Sequence, residues 1–145
     1  MRNRISISKT DPEAYKALLG LEAYLENTRI PAIHQEMIRI RASQINGCAY
    51  CIDMHSADAR KAGETERRIY AMSAWRETPF FTEEERAILA LTEAVTLINK
   101  GVPDDVYNQA ATLFDDKYIA QLIMAITVIN TWNRIGISTG MEPKL

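Results

Sequence analysis

Between Asp116 and Ile135 the sequence reads DKYIAQLIMAITVINTWNRI, which spreads Ile119, Leu122, Ile123, Met124, Ile126, Val128, Ile129 and Trp132 over nearly every face of a helix. A helix that is apolar all round has to lie at the centre of a domain or against another copy of the chain. Its uncharged stretch, Tyr118 to Asn133, is shorter than the roughly 20 residues that span a bilayer. The rest of the chain must therefore cover it, and 145 residues suffice for one domain, 1–145, with its own core.

The covering segments also read as helices. Thr10-Asp11-Pro12-Glu13 has the form of a capping box with an early proline, and Tyr15, Leu18, Leu19, Tyr24 and Leu25 follow at helical spacing to about Asn27. Pro31 opens a second helix through Ile33, Met37, Ile38, Ile40 and Ile45, with Glu36, Arg39 and Arg41 interleaved, until Asn46-Gly47 breaks it. Cys48 starts a third, closed by Gly63, and Thr65 caps a fourth that ends at Thr78-Pro79. Thr82-Glu83-Glu84-Glu85 is a second capping box opening a long helix toward Gly101, and Pro103-Asp104-Asp105 starts a shorter one to Phe114. The expected fold class is all-α, a single domain of about six to seven helices that is oligomeric. Arg4 to Ser8 alternates like a strand but has no partner strand, so an extended N-terminal arm is expected there.

Charge and cysteine usage narrow the function. Seventeen Lys and Arg against nineteen Asp and Glu, with no basic stripe, argue against a nucleic-acid partner. Lys9 and Asp11 stand where a secretory signal needs an apolar run, so a chain with no membrane partner and a cytoplasmic location is expected. Two cysteines three residues apart do not make a disulfide scaffold; their role is chemical.

The informative segment is Glu36 to His55, EMIRIRASQINGCAYCIDMH. On a helix Cys51 lies about 60° from Cys48 and His55 about 40° from Cys51, so two thiols and an imidazole share one face. In the first turn, free backbone N–H groups and the positive end of the dipole favour a thiolate. A thiol of pKa ~8.5 is only about 3% ionised at neutral pH, and lowering it by ~2 units, roughly 2.7 kcal/mol, reverses that balance. The spacing permits a disulfide. With Asn46-Gly47 turning the chain, Glu36 can fold back toward His55 or the thiols.

Plainer readings stand beside this one. Cys48, Cys51, His55 and Glu36 have the donor types of a zinc site, although structural zinc sites usually recruit a second cysteine or histidine pair, which this chain lacks. Glu36 alone reads as a solvated helix-face carboxylate, Tyr50 as packing and His34 as a surface histidine. Trp75, Phe80, Phe81, Trp132 and the methionines read as core or interface.

Glu36, eleven residues, Cys48-Ala49-Tyr50-Cys51, three residues and His55 together resemble the active-site pattern of AhpD-like alkylhydroperoxidases in the carboxymuconolactone decarboxylase superfamily. Ala62-Gly63-Glu64-Thr65, Glu85 to Thr96 and Trp132-Asn133-Arg134 extend the similarity over most of the chain. The resemblance implies an AhpD-like helical fold, a homo-oligomer (trimer or hexamer) and reduction of a hydroperoxide substrate. In it Cys51 attacks the peroxide, Cys48 resolves the sulfenic acid, and His55 with Glu36 relays the proton. Tyr50 departs from the pattern, since the best-studied members carry a histidine there. The chain has no flavin or nicotinamide fingerprint, so no cofactor is expected and the reductant is external; the resemblance points to a lipoyl-bearing or thioredoxin-like dithiol donor. Two other classes remain at this stage: a non-catalytic helical oligomer with a zinc-binding or oxidation-sensing Cys/His site, and a carboxymuconolactone decarboxylase-type enzyme using Glu36 or His55 as its acid-base group.

Overall fold

The computed structural model describes residues 4–144, all helix and connection with no strand among them. Eight α-helices follow in order: α1 (Ile7–Thr10), α2 (Pro12–Glu26), α3 (Ala32–Asn46), α4 (Ala49–Lys61), α5 (Glu66–Ala71), α6 (Glu83–Thr96), α7 (Asp104–Leu113) and α8 (Asp116–Thr139). Short 3-10 turns, Met72–Glu77 and Ile98–Lys100, extend α5 and follow α6.

α8 takes the central place that its apolar faces demand, packing against α2, α3, α4, α6 and α7. Leu122 and Ile126 are fully buried in it, each contributing about 1.5–3 kcal/mol of transfer free energy. α3 is the other central element. Its Ile38 and Ala42 join Ile88, Leu91, Leu122, Ile126 and Ile129 in one core. Its Met37 and Ile40 join Ile69, Met72, Trp75, Phe81 and Leu89 in a second. A helix buried on two sides leaves little solvent for polar residues, so its Glu36, only 7% exposed, needs partners inside the protein.

The structure corrects the sequence reading at the N-terminus. Ile7 and Ser8 are helical rather than extended: the Lys9 and Thr10 amides close on the Ser6 carbonyl, satisfying backbone groups that a lone strand would leave open. Thr10 therefore belongs to α1, and Asp11 caps α2, accepting from the Ala14 amide at 3.1 Å with Pro12 as the first helical residue. The second capping box is present in full, Thr82 and Glu85 each bonding the other's backbone. The fourth helix is shorter than its pattern suggests, because Ala74 leaves helical geometry and the chain tightens into a 3-10 turn that buries Trp75. Its indole N–H donates to Glu93 at 2.9 Å.

Candidate functional site

The turn between α3 and α4 sets the site. Gly47 is left-handed (φ 72°, ψ 32°), and the next amide, Cys48, reaches back to the Ser43 carbonyl at 3.0 Å. This is the Schellman arrangement, which glycine adopts without a Cβ penalty. Only Gly47 and Cys48 stand between the two helices, so Cys48 is already the N-cap of α4, and its Sγ accepts the Cys51 amide at 3.4 Å. α4 then runs back along α3, which is what brings position 36 beside position 55.

Cys48 and Cys51 are bonded to each other and almost fully buried, 2% and 3% exposed. His55, one turn after Cys51, donates through Nδ1 to Glu36 Oε2 at 2.9 Å. A carboxylate can only accept, so Nδ1 carries the proton and Nε2 is the basic nitrogen. The other Glu36 oxygen, Oε1, is taken by Arg39 Nη1 at 2.5 Å. The four residues singled out from the sequence thus form two bonded pairs, the disulfide and Glu36 with His55, with Cys51 and His55 one turn apart on α4 and Glu36 meeting the imidazole rather than the sulfurs. Among the described residues no group of three or more His, Cys, Asp or Glu is arranged to hold a metal ion.

A cavity of about 620 Å³ opens onto this group, and Cys51 and His55 line it while Cys48 does not. Its walls bring Tyr15 from α2, Tyr50 and Met54 from α4 and Trp132 from α8, so Tyr50 faces the cavity rather than serving only as packing. Tyr15 meets Trp132 edge to face at 5.5 Å between ring centroids. Arg4 ties the N-terminal segment across the end of α8, donating to the Ile137 and Ser138 carbonyls at 3.1 and 2.9 Å. Those carbonyls belong to the last turn of the helix, where the Ile137 carbonyl also accepts the amide of the C-cap Gly140 at 3.3 Å.

Sequence reasoning missed Gly136. α8 passes the disulfide at this residue, and a Cβ placed there stands 3.4 Å from Cys48 Sγ and 3.8 Å from Cys51 Sγ. The sequence pattern ends the last helix at about Ile135, just before this glycine, whereas α8 runs on to Thr139 and places Gly136 inside a helix, where glycine otherwise costs about 1 kcal/mol. Ala at this position makes ordinary contact with the sulfurs, whereas the γ-methyls of Val crowd them. We expect Gly136→Val to lose about 1–3 kcal/mol of stability in urea unfolding, as overpacked cores do, and Gly136→Ala to lose none. Equal stability of Val and Gly at this position would show that the close approach is not limiting.

His34 is a second correction. It is half-buried rather than a surface residue: its side chain is 19% exposed and its Nε2 stands 3.7 Å from Glu85, because α3 is central and leaves that face little solvent. Arg68 completes this cluster with Nη2 on Glu85 Oε1 at 2.5 Å and Nε on Glu64 at 2.9 Å.

The model of the carboxymuconolactone decarboxylase family matches residues 12–94, more than half of the chain and the whole of the cysteine segment. The chain belongs to that family. An uncharacterized Bacillus subtilis (strain 168) protein, YdfG, is 45% identical to it over 97% of this chain and 96% of its own length. The crystal structure of a protein of unknown function from Agrobacterium tumefaciens, a candidate antioxidant defence protein AhpD, superposes with a TM-score of 0.96 at 41% identity, covering 99% of each chain. This family member is therefore AhpD-like in fold. The debrominase Bmp8 shares that fold alone, with a TM-score of 0.85 at 20% identity over 94% of this chain and 74% of its own. No helix among the described residues is long and apolar enough to cross a membrane.

Proposed function

We propose that this protein is a thiol-dependent peroxidase that reduces hydroperoxides by cycling Cys48 and Cys51 between dithiol and disulfide. The observation that carries the reading is the cavity in which Cys51 lies beside His55 while Cys51 is bonded to Cys48 behind it. In this reading the Cys51 thiolate attacks the terminal peroxide oxygen. The O–O bond breaks and its electron pair leaves on the alkoxide, which takes a proton from the His55 imidazolium to become the alcohol. Cys51 is left as a sulfenic acid. The Cys48 sulfur attacks it, the S–O bond breaks, and hydroxide leaves as water with one further proton. An external dithiol, a lipoyl-bearing or thioredoxin-like protein, then reduces the disulfide and is itself oxidised to a disulfide.

Support comes from chemistry that the fold arranges at short range. Cys48 at the N-cap receives an amide hydrogen bond and the dipole of a helix of 13 residues, both of which stabilise a thiolate there. Glu36 orients His55 and offsets the positive charge it acquires when it takes the thiol proton. The chain works as a homo-oligomer in this reading, and the half-covered Ile123 and exposed Ile98, which share a groove on the outer side of α8, support a further packing surface.

The test is peroxide consumption by the reduced protein with dihydrolipoamide, thioredoxin or glutathione as donor. Turnover is expected with at least one dithiol and at a much lower rate with the monothiol, which must first form and then resolve a mixed disulfide. No consumption with any of the three would overturn the peroxidase reading.

A further inference from the structure

Glu36 and His55 do not stand alone. The guanidinium of Arg39, whose side chain is 17% exposed, donates through Nη1 to Glu36 at 2.5 Å and through Nη2 to Glu22 at 2.9 Å. Glu22 belongs to α2, and its other oxygen accepts the indole N–H of Trp132 on α8 at 2.8 Å. A single chain of charge-assisted bonds therefore runs from the imidazole through two carboxylates and one guanidinium to the aromatic wall of the cavity. It spans α4, α3, α2 and α8. Each oxygen of Glu36 and of Glu22 has one bonded partner in it.

The consequence for Glu36 is geometric. A carboxylate on a helix can turn about its side-chain torsions and present either oxygen to a neighbour, and a partner one residue wide does not stop it. Arg39 is anchored at both ends, so the oxygen it does not hold is left in one place, where His55 Nδ1 meets it. We infer that Arg39, clamped by Glu22, is a positioning residue that fixes Glu36 and through it the tautomer and orientation of the His55 ring. A planar fork is required, because two carboxylates on different helices are bridged by separate nitrogens; a lysine offers a single point of charge.

This inference rests on the thiol-relay reading of the site, and its test does not need a peroxide or a donor. In a Cys48→Ser background, Cys51 is the only thiol, and its alkylation by iodoacetamide at neutral pH reports how well the relay removes its proton. Arg39→Met, which keeps an unbranched stem of similar bulk, is expected to slow alkylation by about 10-fold, since a displaced base loses most of its advantage. Arg39→Lys should recover part of that rate. In a His55→Ala background Arg39→Met should have no further effect, because a residue acting through His55 has nothing left to position. In the native cysteine pair the same substitution should lower kcat for peroxide with KM nearly unchanged.

Wild-type alkylation by Arg39→Met would overturn the inference, as would a loss that persists undiminished without His55. A rise in KM with normal alkylation would also overturn it, by making Arg39 a substrate contact. If Arg39→Met does not fold, because Glu36 is left buried beside no cation, Arg39→Lys keeps the charge and decides the matter: intermediate alkylation supports the role and the wild-type rate excludes it. Should the wild-type protein alkylate rapidly yet consume no peroxide, the peroxidase reading fails while Arg39 is still tested by alkylation.

Discussion

Replacing Cys51 by serine is expected to abolish peroxide reduction even in a single turnover, while Cys48→Ser should still consume about one equivalent and stop. The asymmetry follows from access and from protonation. Cys51 lines the cavity and precedes His55 by one turn, whereas Cys48 lies behind it against Gly136. A peroxide entering the cavity meets Cys51 first, and only that sulfur has the imidazole one turn away to take its proton and return it to the leaving alkoxide. Without Cys48 the sulfenic acid has no intramolecular partner, so dimedone should trap it on Cys51 and steady-state turnover should cease. The loss for Cys51→Ser is complete because a serine hydroxyl, unlike a thiolate, does not displace alkoxide from a peroxide at neutral pH. Mass spectrometry of the dimedone adduct checks the assignment. Adduct on Cys48 in Cys51→Ser, with none in Cys48→Ser, would reverse the two roles. Loss of reactivity in both variants together with unfolding would make the pair structural.

How much of this site was legible beforehand depends on the range of the forces that build it. Caps and turns are decided within a few residues, so Gly47, the Thr82–Glu85 box and the start of α4 at Cys48 could be read from the chain directly. The Glu36–His55 pairing was half legible. A tight turn at Asn46-Gly47 forces α4 back along α3, but only the actual turn decides whether the carboxylate meets the ring or the sulfurs. Arg39 is one of the polar residues interleaved along α3, and its spacing of three from Glu36 is the local signal for their ion pair. Glu22 and Trp132, by contrast, are 110 residues apart in the chain and share no local pattern. Gly136 and His34 belong to the same class, since each owes its environment to packing between α8 or α3 and distant helices. The extended arm expected over Arg4 to Ser8 stops short for another reason: Ser6 is still extended, but with no second strand to pair with, one helical turn from Ile7 satisfies more backbone groups.

Glu85→Ala is expected to cost about 3 kcal/mol of stability at neutral pH, a fall of roughly 10 °C in Tm for a domain of this size. Glu85 has two tasks. It completes the box that opens α6, accepting the Thr82 amide at 2.8 Å, and it pairs with Arg68 at 2.5 Å under the second core. Removing it takes away half of the box, since the Thr82 amide loses its acceptor while the Thr82 hydroxyl still caps the amide of residue 85, and it leaves the Arg68 guanidinium with Glu64 as its remaining carboxylate partner. Burial pushes the Glu85 carboxyl up, but hydrogen bonds from Arg68 and the Thr82 backbone and the pull of the nearby His34 ring outweigh it, holding the group at about 2 against an ordinary 4.5. Of these, Arg68 and Thr82 are the stronger, since the His34 nitrogen at 3.7 Å is beyond a good hydrogen bond. A carboxyl lowered in this way stabilises the fold fully above its ordinary value and loses that contribution as pH falls through the folded one. The gap between wild type and Glu85→Ala in urea unfolding should therefore be constant from pH 7 to about 5 and shrink between 4.5 and 2. A gap that stays unchanged to pH 2 would mean that the carboxylate's charge contributes nothing and that Glu85 acts by shape alone. The cluster also bears on the site, because His34 and Met37 flank Glu36 on α3 and Arg68 touches the Met37 sulfur at 3.7 Å. If the cluster sets the lie of α3, Glu85→Ala should slow Cys51 alkylation at temperatures where the protein is still folded. Rates equal to wild type there would confine its role to stability.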